Sequence, residues 1–184
     1  MSNLTDGQRI ELIKKNIGSF PGFPKEGILF HDIFSALTSG DVCVALKDLL
    51  VNYVRKNHPD VDVIVGLEAR GFLFSLLLAA EIGVACVPIR KKGKLPGECY
   101  SYSYVLEYGS DEVEIQKSSI KAGQKVIVLD DLLATGGTLD AATKLLKMAG
   151  ANVVECIVLI ELSDLKGREK IPETNVHSFI QYPV

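Results

Sequence analysis

Val126-Ile127-Val128-Leu129-Asp130-Asp131-Leu132-Leu133-Ala134-Thr135-Gly136-Gly137-Thr138 decides the fold of this chain. Val126 to Leu129 are four consecutive branched apolar residues and read as a strand buried on both faces, the kind found in the parallel sheets of α/β proteins. From Leu139 to Met148 apolar residues recur at helical spacing, so a helix opens directly after the turn. Such a turn aims unpaired backbone N–H groups at an anion, and the helix dipole reinforces the attraction. Ala134 leads into it, Gly136 and Gly137 let the main chain come close, and Thr135 and Thr138 add hydroxyl donors. Asp130 and Asp131 stand at the expected strand end, where alternation sends neighbouring side chains in different directions. Two carboxylates so placed suit the neighbouring hydroxyls of a sugar. A phosphorylated sugar is therefore the ligand this order describes. A helix cap with acidic residues near the positive dipole end accounts for Thr135-Gly136-Gly137-Thr138 alone, but not for the whole string.

Outward from this segment the chain alternates strand and helix without an internal linker or repeat. Thr5 and Gln8 have capping-box spacing, and Ile10, Ile13 and Ile17 mark one face of a first helix that Gly18 ends. Phe20 to Gly27, with Pro21, Gly22 and Pro24, reads as an irregular arm leading into a short strand over 28–33. Val42, Leu46, Leu49, Leu50 and Tyr53 form a second helical face before a turn over 57–60. The pattern then predicts a strand over 61–65, a helix over 71–81, a strand over 84–89, a Gly/Lys loop, two polar strands within 98–117, a strand over 125–129, a helix over 137–149 and a strand over 152–162. Strand, helix, strand at this spacing implies parallel pairing with right-handed crossovers. Ligands in such sheets bind beyond the carboxyl ends of the strands, where Gly66 and Asp130 both fall.

Three further segments offer chemistry. Gly66-Leu67-Glu68-Ala69-Arg70-Gly71 is a second strand-to-helix turn, with neither dinucleotide-fingerprint spacing nor a Walker lysine. Arg90-Lys91-Lys92-Gly93-Lys94 places four cations in five residues right after a buried strand; a solvated loop is the ordinary reading of such a run. Tyr100 to Tyr108 alternates aromatic, small and acidic residues and reads as an exposed strand pair with a mobile tip.

Composition sets the bounds. A chain of 184 residues suits one domain with a sizeable core. Its formal charge of −3 gives no electrostatic case for nucleic acid or an anionic membrane. Cys43, Cys86, Cys99 and Cys156 are scattered, without a paired Cys spacing or a secretory leader, and read as reduced thiols of a cytoplasmic protein. The most apolar stretch, 72–89, is broken by Glu81, Gly83 and Pro88 and is too interrupted to span a bilayer.

The thirteen-residue string resembles the phosphoribosyl pyrophosphate signature of the type I phosphoribosyltransferases. Further blocks in the same order resemble the adenine-using branch of that family: Phe20 to Pro24, Phe30-His31-Asp32-Ile33, Gly66 to Phe72, Arg90 to Gly97, Leu106-Glu107-Tyr108-Gly109, and Leu165 to Lys170. The resemblance implies one domain over 1–184, a mainly parallel twisted sheet flanked by helices, with an N-terminal helix and purine-covering arm over 1–35 and a flexible catalytic loop near 95–113. It implies purine salvage, in which adenine and phosphoribosyl pyrophosphate give AMP and diphosphate, with Mg²⁺ held mainly by substrate oxygens. By the same resemblance Asp130 and Asp131 grip the ribose, and Ala134, Thr135, Gly136, Gly137 and Thr138 bind the 5′-phosphate. Glu68, Ala69, Arg70, Arg90, Lys91 and Lys94 bind the diphosphate, and Leu29, Phe30 and His31 the adenine. His31 stands where many relatives have arginine. Glu107, Tyr108 and Arg70 are the implied catalytic residues, a non-proline cis peptide is implied at Glu68-Ala69, and basic residues acting across an interface imply a homodimer. A hypoxanthine-guanine or orotate enzyme shares the phosphate machinery. A non-catalytic sensor of phosphoribosyl pyrophosphate is the remaining alternative, for which neither an appended nucleic-acid-binding domain nor a basic excess is present.

Overall fold

Backbone hydrogen bonding and apolar burial organise the chain into two compact units, up to Pro59 and from Asp60 to Pro183. The structure, a computed structural model, describes residues 4–105 and 110–183.

In the first unit, helix α1 (Asp6–Asn16) starts on a complete capping box: the Thr5 N–H donates to Gln8 Oε1 at 2.9 Å and the Gln8 N–H to Thr5 Oγ1 at 3.3 Å. Ile13 and Ile17 are buried as their spacing predicts. The arm is more ordered than its prolines and glycines suggest. Strand β1 (Gly18–Pro21) pairs antiparallel with β2 (Leu29–Asp32), so that Phe20 faces Phe30. Pro21 is tolerated because it ends the strand, in a two-stranded sheet that is edge on both sides. Asp32 then caps α2 (Ile33–Leu37), accepting from the Phe34 and Ser35 N–H groups at 3.0 Å each. Helix α3 (Gly40–Asn57) buries Val42, Leu46, Leu49 and Leu50, the face its periodicity predicts.

The second unit is the sheet. Strands β3 (Val63–Leu67), β4 (Ala85–Lys91), β5 (Cys99–Val105), β6 (Ser110–Gln116), β7 (Lys125–Leu133), β8 (Asn152–Leu162) and β9 (Val176–Tyr182) lie in the order β5-β6-β4-β3-β7-β8-β9. The pairs β3/β4, β3/β7, β7/β8 and β8/β9 are parallel, while β6 runs antiparallel to both β4 and β5. Helices α4 (Gly71–Ile82) and α5 (Gly137–Met148) cross between parallel strands. The result is an α/β fold with a mostly parallel central sheet flanked by helices. All five residues of β3 are buried, as are Val126 to Leu129, which is what a central parallel strand requires.

Several boundaries differ from the sequence reading: β3 and β4 each run two residues past their expected ends, to Leu67 and Lys91. β7 does not stop at Leu129 but continues through both aspartates, because its ladder with β8 runs on to Leu133 opposite Glu161. β9 has no counterpart in the expected elements. Its residues do not alternate cleanly, and it is a strand because the β8 edge supplies hydrogen-bond partners. No helix among the described residues is long and apolar enough to cross a membrane.

Candidate active site

The parallel ladder brings the ends of β3, β4 and β7 side by side, and the motif residues of the second unit follow from those ends. Asp130 and Asp131 lie within β7. Asp130 Oδ1 accepts the Asp131 N–H at 2.9 Å. Burial, and then the neighbouring Asp131 charge, pushes the Asp130 carboxyl well above the usual carboxylate range. Burial raises Asp131 as well, opposed by Arg70, whose Nε lies 2.7 Å from Asp131 Oδ2. Carboxyl groups raised in this way hold a proton more readily than ordinary carboxylates, and a protonated one donates to as well as accepts from a sugar hydroxyl.

After Leu133 the chain turns into α5. Gly136 sits at φ 82°, a left-handed conformation that favours glycine, and a Cβ there would run into the backbone carbonyl of Gly167. Gly167 is equally constrained, since its own Cβ would meet the Ala134 carbonyl and come within 3.0 Å of the Gly136 nitrogen. Two backbones thus pack against each other at the turn, leaving the first N–H groups of α5 to point outward. The segment after β8 is fixed by Arg168, which donates through Nε and Nη2 to both Glu161 oxygens at 2.6 Å and through Nη2 to Ser178 Oγ at 2.8 Å. This accounts for the Leu165 to Lys170 block: it braces the anion turn from behind. The sequence reading singled out that block without a physical role, because no local pattern tells which distant turn a glycine will touch.

The second turn follows β3. The Glu68-Ala69 peptide bond is cis, and Arg70 precedes the first residue of α4. Glu68 gathers the basic loop. Its carboxylate accepts from Arg90 Nε and Nη2 at 3.2 Å each, from Lys94 Nζ at 2.8 Å and from the Lys91 N–H at 3.0 Å. Burial works against its charge, yet these hydrogen bonds from Lys94, Arg90 and Lys91 bring its pKa down to about 2. Lys91 Nζ turns instead to Asp111 Oδ2 at 3.0 Å, and Lys92 to Glu112 at 2.9 Å. The cations of this loop and Arg70 all rest on carboxylates.

One residue enters the site that the sequence reading passed over. Tyr104, on β5, lies against the start of α5: its ring is 3.9 Å from where a Cβ on Gly137 would stand, and its hydroxyl donates to Asp111 Oδ2 at 3.5 Å. Only the pairing of β5 with β6 and their packing on α5 bring it there.

In the first unit, the ring of Phe30 stands edge-on to Phe23, with centroids 5.1 Å apart. Leu29 is half exposed, and His31 Nδ1 lies 3.2 Å from Ser19 Oγ. Burial lowers the His31 pKa. Glu107 and Tyr108 lie outside the described residues. A cavity of about 510 Å³ opens elsewhere, beside Asp140, Lys144, Lys147, Lys170 and Glu173. It touches the motif blocks at Lys170, and Lys144 and Lys147 already pair with Asp140 and Glu173.

A parallel sheet, a strand-to-helix anion turn preceded by a buried carboxyl pair, and a basic loop at a neighbouring strand end define an α/β protein built around a phosphorylated sugar. The family model described as the phosphoribosyl transferase domain matches residues 38–183, and the chain belongs to that family. Adenine phosphoribosyltransferase of Drosophila pseudoobscura pseudoobscura is 55% identical over 182 residues, 99% of this chain and 100% of that protein. The Rattus norvegicus adenine phosphoribosyltransferase is 51% identical over 174 residues, 94% of this chain and 97% of that one. Among solved structures, the Saccharomyces cerevisiae adenine phosphoribosyltransferase, complexed with an imino-altritol bisphosphate and adenine, superposes with a TM-score of 0.91 at 42% identity, covering 94% of this chain and 99% of that one.

Proposed function

We propose that this protein transfers the 5-phosphoribosyl group of phosphoribosyl pyrophosphate to adenine, giving AMP and diphosphate in purine salvage. The observation that carries this is the carboxyl pair and glycine-built anion turn of β7 and α5, set in a chain 55% identical along its length to an adenine phosphoribosyltransferase. The C1–diphosphate bond breaks and an N9–C1 bond forms with inversion, through a transition state with oxocarbenium character. Asp130 and Asp131 hold the ribose hydroxyls, and Ala134 to Thr138 the 5′-phosphate. Ala69, Arg70, Arg90, Lys91 and Lys94 surround the departing diphosphate, the arginines offering bidentate donors. Glu68 orders the basic loop, a role its contacts with Arg90, Lys94 and the Lys91 N–H support. Glu107 handles the purine proton and Tyr108 covers the reaction centre, both assigned from the family motif alone.

Leu29, Phe30 and His31 are assigned to adenine. Support comes from the apolar surface of the β1–β2 hairpin, where Phe20, Phe23 and Leu29 are each half exposed. Mg²⁺ is assigned as an ion carried in mainly by substrate oxygens, the usual mode for this cation with phosphate substrates. When bound, it neutralises charge on the leaving diphosphate. We assign a homodimer, supported by helix α4, which leaves Leu73, Leu76 and Leu77 on the surface with Leu76 64% exposed. The cytoplasm is the proposed compartment, in keeping with four cysteines free of disulfides.

Turnover with phosphoribosyl pyrophosphate, Mg²⁺ and each of adenine, hypoxanthine, guanine and orotate tests the reading. Adenine is expected to exceed the 6-oxopurines by about 10⁴-fold in kcat/KM, because a site that pairs an amino group leaves buried partners unmatched by an oxo group. Comparable use of hypoxanthine would reassign the base.

A further inference from the structure

We propose that Glu161 and Arg168 are positioning residues for the 5′-phosphate, which set the affinity of the anion turn by fixing the direction of its donors from behind. The proposal rests on the reading of Ala134 to Thr138 as the 5′-phosphate cradle. Glu161 is 4% exposed and stands in β8 opposite Leu133, the last residue of β7 before the turn, and opposite Gln181 of β9. Its Oε1 accepts from Arg168 Nε at 2.6 Å. Its Oε2 accepts from Arg168 Nη2 at 2.6 Å, Ser178 Oγ at 2.5 Å and Gln181 Nε2 at 3.1 Å. Arg168 Nη1 donates to the Val176 carbonyl, so the guanidinium is tied to β8 and β9 at once. The hydrogen bond from Arg168, working against burial, holds the Glu161 carboxyl below the usual carboxylate range, and the pair is ionised.

This clamp holds a strained stretch of backbone. Lys166 has φ 51° and is the one non-glycine residue with positive φ among the described residues, a conformation that a side chain disfavours. A residue so placed persists only where its surroundings over-determine it. Arg168 supplies that anchorage, and Gly167, between the two, is pressed onto the turn: a Cβ on it would lie 2.7 Å from Leu133 Cδ1 and 3.0 Å from the Gly136 nitrogen. No flexible side chain separates the two backbones, so a displacement of Gly167 passes straight to Gly136, the residue that leads into α5. Backbone N–H donors lose strength steeply when they are misaligned, and a turn that recognises phosphate through them depends on their direction. The donors assigned to diphosphate follow β3 and β4 and do not share this support.

Calorimetric titration of wild type, Glu161→Gln and Arg168→Met with ribose 5-phosphate and, separately, with inorganic diphosphate is the measurement. Both variants are expected to bind ribose 5-phosphate about tenfold more weakly and diphosphate as wild type does. The sign for Glu161→Gln separates the mechanisms: removal of a negative charge near an anion site tightens binding if the effect is long-range electrostatics, and weakens it if the carboxylate's task is to hold Arg168. In steady state the KM for phosphoribosyl pyrophosphate is expected to rise by a similar factor with kcat kept, because the 5′-phosphate contacts are the same in ground and transition states. Arg168→Lys keeps the charge without the fork that spans both carboxylate oxygens, and is expected to recover little. Ser178→Ala removes one strut and leaves the ion pair; a smaller loss in the same direction is expected, which keeps the test open if Arg168→Met does not fold. Unchanged or tighter ribose 5-phosphate binding by Glu161→Gln, equal weakening of both anions, or full recovery in Arg168→Lys overturns the proposal. Thr138→Val reports on the underlying reading and is expected to weaken ribose 5-phosphate about tenfold. If it and the clamp variants all bind as wild type does, the reading fails with the proposal; if it weakens binding while the clamp variants do not, the proposal alone fails.

Discussion

Asp130 and Asp131 are neighbours with different tasks, and the difference is electrostatic. Asp130 is driven toward its neutral form by burial, so its replacement by asparagine keeps shape and much of the hydrogen bonding. Asp131 faces Arg70 at 2.7 Å, and asparagine there removes a partner from a cation with few others in reach. Asp131→Asn is expected to cost roughly 1–3 kcal/mol of transition-state stabilisation and Asp130→Asn clearly less, read from kcat/KM for phosphoribosyl pyrophosphate. Equal losses would show that both carboxyls act as anions on the ribose. Glu68 gives a second test at this scale. Its pKa falls from an ordinary 4.5 to about 2, so the stability it contributes is fully present above pH 4.5 and is lost as the pH falls from there towards 2. Denaturant unfolding of Glu68→Gln and wild type across that window is expected to show a stability gap that closes on acidification. A gap independent of pH would mean that the Glu68 contribution is packing, not charge.

At the scale of elements, the anion turn depends on a segment about thirty residues further along the chain. Gly136 and Gly167 meet backbone to backbone, and Arg168 clamps the second of these segments to Glu161 of β8 and Ser178 of β9. Gly136→Ala therefore faces both a left-handed φ and a steric clash, and is expected to destabilise the protein by about 2–4 kcal/mol. Ribose 5-phosphate binding should be lost along with that stability. Unfolding by denaturant and calorimetry on the same sample check this together, and a variant that keeps wild-type affinity would place the phosphate away from this turn. The legibility of these elements in sequence was uneven for a physical reason. The capping box of α1, the apolar face of α3 and the buried run of β7 are local signals, and each element formed where its signal lies. β1 and β9 carry weak patterns and exist because β2 and β8 present unpaired edges to them.

At the scale of the whole molecule, the assignment of Mg²⁺ to the substrate carries an expected response to chelation. Activity should vanish on removal of Mg²⁺ and return on its addition, while the Tm of the ligand-free protein moves little, because an ion that arrives with substrate is not part of the fold. A large loss of Tm on chelation would reveal a structural metal instead.

The sequence by itself determined the α/β class, the parallel strand-to-helix order, and the residues that build the anion turn, because each of these is written in local periodicity and in glycine, threonine and aspartate placed in one short run. The family resemblance, not local pattern, marked Glu68, Arg70 and the Arg90 to Lys94 cations as one group. Only the tertiary structure decided how these charges pair: Arg70 on Asp131, Arg90 and Lys94 on Glu68, Lys91 on Asp111. It alone set Gly167 behind Gly136 and brought the Tyr104 ring to Gly137 at the start of α5. Pairing of this kind depends on distances between residues far apart in the chain, and those distances are fixed by sheet order and helix packing, which no local pattern encodes.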